Sequence, residues 1–213
     1  MDLIFGLLSL LILVYSAILH EIAHGFVAER LGDPTARIMG RLTLNPKSHI
    51  DPLMSIALPL LLIISGSPII FGAAKPVPVD PFNLRDGRKD MALVSLAGPA
   101  TNILLAVAAV ILIRVWNFIP IDGGIGAFVE WFLLSVVRLN LLLAIFNLIP
   151  IPPLDGSKIF SLILPDKEAA VYLSIGSVGI MIIFFLLLFP IGGFSLGSVI
   201  SNLLTFSEHL LGL

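Results

Sequence analysis

The sequence predicts an all-α polytopic membrane protein: about five transmembrane helices, one re-entrant or partial segment, and short β or extended connectors. Three observations carry this. Of 213 residues, 58% are apolar, and the mean hydropathy of +1.09 lies far above that of a globular chain. Apolar runs long enough to cross a bilayer recur along the chain. Charged residues make up only 12% and gather in the connectors between those runs. What remains leaves no room for a soluble second domain, so a single membrane-embedded domain is expected, with a core over residues 3–160 and a C-terminal helical hairpin over 168–212. A net charge of −2 points away from nucleic acid, and the absence of cysteine excludes a thiolate metal site and a disulfide framework.

The first span covers residues 3–28. Met1-Asp2 brings no basic n-region and no small-residue cleavage site follows, so this is a retained span rather than a signal peptide. Glu29 and Arg30 end it, and Gly32-Asp33-Pro34 breaks the helix. A polar connector follows over 35–51, in which residues 36–44 alternate as a β-strand or hairpin arm would. The apolar run 53–71 is punctured by Pro59, Gly66 and Pro68. In the next connector, Lys75-Pro76-Val77-Pro78-Val79 must be extended, because each proline biases its predecessor away from helix. Spans are expected at 91–113 and 131–148, then a proline-rich exit from Asn147 to Gly156, then apolar segments at 169–189 and 194–211.

Charge bias sets the topology. Residues 29–52 hold four Lys/Arg and residues 72–90 hold four, against none before the first span. Both loops should be cytoplasmic. The segment between them, 53–71, then enters the membrane without crossing it.

His20-Glu21-Ile22-Ala23-His24 lies at the end of a stretch without charge from residue 3 to 19. On a helix, residues four apart share a face, so both imidazoles can grip one metal ion while Glu21 handles a proton beside it. Ionisable groups at membrane depth are costly and mark function. A catalytic zinc takes three protein ligands and leaves one position open. Asp155, His49, His209 and the other carboxylates are candidates for the third. Asp155 is favoured, because Pro150, Pro152 and Pro153 leave unpaired carbonyls at membrane depth, which only protein or a water-filled cavity tolerates. His49 reads as a loop residue or a helper, and His209 as an exposed tail residue. Two amides in apolar spans, Asn147 and Asn102, have two readings each: donors to a developing oxyanion, or hydrogen bonds between helices.

These residues resemble the site-2 protease family of intramembrane zinc metalloproteases, in its small prokaryotic form. The resemblance rests on HEIAH at 20–24, GPATN at 98–102, NLIPIPPLDG at 147–156, and GRLTLNP at 40–46 with HIDP at 49–52, and it covers most of residues 18–160. It implies zinc held by His20, His24 and Asp155, Glu21 as general base, and Asn147 at the oxyanion, with Asn102 a further catalytic candidate. It also implies transmembrane protein substrates and a place in the prokaryotic cell membrane, while the charge bias of the loops puts the active site nearer the cytoplasm. Larger members carry PDZ or CBS domains for which this chain has no room. A different class, a membrane zinc transporter or sensor, would show more ionisable residues along several spans. A silent scaffold would have no need of the complete set of His20, Glu21, His24 and Asp155.

Overall fold

A computed structural model describes residues 2–52, 57, 61, 64, 75–118, 123–176, 178–193 and 195–213. The expected segment 53–71 lies almost wholly outside the described residues. The elements are α1 (Asp2–Leu31), α2 (Thr35–Ile38), α3 (Gly87–Trp116), α4 (Gly124–Asn147), α5 (Asp155–Phe160), α6 (Asp166–Ser174), α7 (Val178–Leu188) and α8 (Leu196–Leu210), with 3-10 turns at Pro46–His49, Pro81–Asn83 and Ser161–Ile163.

By length and composition three of these helices, α1, α3 and α4, can cross a membrane, and a fourth crossing results if α6 and α7 are taken as one span. Their outer faces suit hydrocarbon: Ile4, Leu7, Leu10, Leu104, Ile111 and Leu112 are all exposed. The expected continuous span at 169–189 is instead bent by 70° between α6 and α7, where Gly176 adopts φ +49°. That left-handed conformation suits glycine and ends α6.

α3 is the central helix. Its small residues Ala106 and Ala109 let α4 approach closely, and with Val110 and Ile113 they pack on Val137 and Leu141. Side-chain pairs fix the directions. Asn102 faces His20 and Val94 faces His24, so α3 runs against α1. Phe5 meets Trp131 near the start of α4, and Ser16 meets Asn140 further along, so α4 runs parallel to α1. The C-terminal ends of α1 and α4 therefore lie at the same end of the bundle.

The connectors are turns rather than strands. In place of the expected hairpin arm over 36–44, residues 35–38 form a helical turn, and no strand forms among the described residues. Local capping explains the difference. Asp33 accepts from the Thr35 backbone N–H and hydroxyl, and Asn45 accepts from the Lys47 N–H at 3.1 Å, so side chains satisfy the groups a strand partner would need. Residues 75–80 form neither helix nor turn, and Asp80 at their end is extended (φ −96°, ψ 108°). Arg41 Nη2 donates to the carbonyls of Lys75 at 2.7 Å and Pro76 at 3.1 Å, which lays this segment across α1. Gly25 makes the approach possible, since a Cβ there would stand 2.7 Å from Leu42 and 2.9 Å from Val77.

Candidate metal centre

His20 and His24 fall on one face of α1, and Asp155 opens α5 just past the exit from α4. Nε2 of His20 and Nε2 of His24 are 3.0 Å apart, and each is 3.2 Å from Asp155 Oδ2. All three side chains are buried. Zinc with bonds of 2.0–2.2 Å to nitrogen and oxygen in tetrahedral geometry spreads its ligand atoms about 3.3 Å apart, so this donor triangle fits the ion. It is the group of metal-ligating side chains found among the described residues.

The backs of both imidazoles are held. His24 Nδ1 donates to the Val94 carbonyl at 2.7 Å, and His20 Nδ1 donates to Asn102 Oδ1 at 2.6 Å. Such partners fix ring orientation and leave Nε2 for the metal. Asp155 divides its oxygens, Oδ2 towards the histidines and Oδ1 towards Lys158 Nζ at 3.4 Å.

Two glycines set the fit. A Cβ on Gly98 would stand 2.5 Å from Nε2 of both histidines, so α3 must carry glycine where it passes the donor triangle. A Cβ on Gly156 would collide with the Leu148 carbonyl and stand 2.7 Å from that of Ile149. The Asp155-Gly156 step is thus pressed onto the backbone of the proline-rich exit, and this brings the carboxylate back to α1.

Glu21 lies one step round α1, half-buried, and its Oε2 accepts from the Val77 N–H at 2.7 Å. Asn102 sits behind His20, on the side away from the donor triangle. The Asn147 amide donates to the Leu143 carbonyl of its own helix at 3.0 Å. His49 is buried with Nε2 2.8 Å from the Thr43 carbonyl, a loop contact, and His209 is exposed. Sequence reasoning passed over Gly98 as a packing position, and over Asn140 and Ser16, which join Asn102 behind His20. The available signal for Asn140 was an amide seven residues before Asn147 in the same apolar span.

Comparison with known proteins agrees with this geometry. Residues 119–190 match peptidase family M50; HEIAH lies before that stretch. A Bacillus subtilis protein named "Putative zinc metalloprotease YwhC" is 35% identical over 186 residues, covering 86% of this chain and 81% of that protein. Two further relatives carry the same description. Rip2 of Mycobacterium tuberculosis is 39% identical over 66% of this chain and 51% of its own length. MJ0611 of Methanocaldococcus jannaschii is 33% identical over 43% of this chain and 45% of its own length. No solved structure matches the chain. With a buried His-His-Asp donor set between apolar α1 and the exit from α4 and a relative matched over most of both lengths, the chain belongs to peptidase family M50, the site-2 protease family.

Proposed function

We propose that this membrane-embedded zinc metallopeptidase hydrolyses peptide bonds within or beside transmembrane segments of other membrane proteins, with His20, His24 and Asp155 holding zinc and Glu21 as general base. The observation that carries the reading is the triangle of Nε2, Nε2 and Oδ2 that joins apolar α1 to the first residue of α5, with a carboxylate on the residue of α1 that follows His20. We read the 213 residues as one catalytic domain that crosses the bilayer five times, with α6–α7 and α8 as the last two crossings. The centre then lies nearer the cytoplasm, as the basic loops require.

The chemistry that zinc supplies there is Lewis acidity, which acidifies water towards neutral pH and polarises the scissile carbonyl. Glu21 takes a proton from the attacking water and passes it to the departing amine, so that a neutral amine and a carboxylic acid leave. The Val77 N–H fixes Oε2 of Glu21, which leaves Oε1 as the oxygen that carries the proton. Asn147 turns its amide from the Leu143 carbonyl towards the oxyanion during the reaction. Asn102 touches no reacting atom and acts on His20 alone. A substrate helix has to unwind to expose its peptide bond before Glu21 can serve it.

The test compares membrane proteomes of cells carrying the intact protein and the Glu21→Gln form. A pair of fragments seen only with the intact protein names the substrate, while the variant keeps its zinc. Undiminished cleavage by the variant would overturn the assignment of Glu21, and zinc flux without cleavage would make the protein a transporter.

A further inference from the structure

Behind His20 lies a closed loop of buried polar groups that begins and ends on α1. Ser16 and His20, one helical turn apart, are joined through Asn140 of α4 and Asn102 of α3. The loop has a direction. Asn140 Nδ2 lies 2.9 Å from the Val136 carbonyl, which can only accept, so the nitrogen of that amide must face it. The same nitrogen donates to Ser16 Oγ at 2.9 Å. Asn140 Oδ1 is thereby turned to Asn102, whose Nδ2 meets it at 2.9 Å. With its nitrogen committed, Asn102 presents Oδ1 to His20 Nδ1 at 2.6 Å, and an amide oxygen there requires the proton on Nδ1. Nε2 is left with its lone pair, facing the other two donors.

We infer that Asn140, anchored by the Val136 carbonyl and Ser16, orients Asn102 and through it sets the tautomer of His20, which makes Asn140 a positioning residue for the metal ligand. The inference rests on the proposed zinc site. Burial makes the device strict: Asn102 and Asn140 are both 0% exposed, so a flipped amide would set two oxygens against each other with no water to separate them. His24 has no need of it, because the Val94 carbonyl cannot flip.

The test uses the purified full chain in detergent, with zinc affinity from chelator competition and the visible spectrum of the cobalt-substituted protein as readouts. Asn140→Leu frees Asn102 to turn its NH₂ towards His20, which favours the wrong tautomer, and zinc binding should weaken by about 10- to 100-fold. Asn102→Asp offers only acceptors to Nδ1 and needs no orienting. With Asn140 replaced, no amide oxygen opposes that carboxylate, so adding Asn102→Asp to Asn140→Leu should restore zinc affinity to within about threefold of the parent, near the limit of simple additivity. The cobalt spectrum should shift with Asn140→Leu alone and return in the double variant, which general loosening of the helices would not produce.

If the parent protein binds no zinc, or His24→Ala binds it equally well, the metal site itself is wrong. If the parent binds zinc and Asn140→Leu binds it as tightly, or if the double variant loses as much as the single one, the inference on Asn140 fails. Should Asn140→Leu not fold, Asn140→Ala decides by the same comparison: weakened binding that Asn102→Asp restores supports the device, and equal losses in the single and double variants overturn it.

Discussion

Gly98 passes His24 so closely that a methyl group on its Cα would stand 2.5 Å from the imidazole Nε2, the atom that faces His20 Nε2 and Asp155 Oδ2. The same methyl would stand 2.5 Å from Nε2 of His20. The central helix is thus shaped to the donor triangle at one residue. Gly98→Ala should push both imidazoles out of register. An overpacked site costs about 1–3 kcal/mol, or roughly 5- to 150-fold in zinc affinity, with cleavage falling in step. Chelator competition on the purified variant checks this, and an affinity within twofold of the parent would show that the helices move apart freely.

Gly156 governs the other half of the centre. Its Cα is pressed onto the carbonyls of Leu148 and Ile149, which are backbone and have little freedom to yield. Gly156→Ala should lower thermal stability by at least about 1–3 kcal/mol and draw Asp155 away from the histidines, losing zinc more readily than the distant Gly6→Ala, which meets nothing. Thermal melts with and without added zinc separate the two effects: a smaller zinc-induced rise in Tm is expected for Gly156→Ala.

For Asn147 the expected effect is on rate alone. Asn147→Ala should reduce kcat by about 10²- to 10³-fold, the usual cost of losing one oxyanion donor, with KM and zinc content unchanged. A loss confined to stability, with kcat preserved, would leave Asn147 as a bond to the Leu143 carbonyl and nothing more.

The buried Asp33 predicts an acid-sensitive clamp between the end of α1 and the start of the segment before α3. Burial raises its carboxyl, but hydrogen bonds from the Thr35 hydroxyl, the Asp80 N–H, the Asn83 amide and the Thr35 N–H outweigh this and place it below the ordinary 3.8. A carboxyl lowered on folding contributes stability that is fully present above about pH 4 and is lost as pH falls through the folded value. Amide exchange at residues 33–35 and 80–83 should therefore quicken below that range in the parent and be already fast, and flatter with pH, in Asp33→Ala. Exchange in the parent that ignores acid would refute the clamp.

How far the sequence could be read differs from residue to residue. His20, Glu21 and His24 were legible because helical spacing places them by local geometry alone, in a run where a charge is too costly to be idle. Asp155 was legible because three prolines break a helix at membrane depth. The connector at 36–44 was misread: alternation suggested a strand, but Asp33 and Asn45 cap turns there, and local side-chain bonds prevailed over pattern. Gly176 and the bend it permits were hidden inside an apolar run, where composition carries no direction.

By itself, then, the sequence determined which residues are too polar for their surroundings, and hence the candidate donors and the candidate base, since desolvation is a property of each residue and its neighbours in the chain. Tertiary structure alone decided that Asp155 shares an oxygen with both imidazoles, that Gly98 clears the space for them, and that Asn140 faces Asn102. Those facts depend on α1, α3, α4 and α5 meeting at one depth with one rotation each, and neither spacing nor composition encodes the rotation of one helix against another.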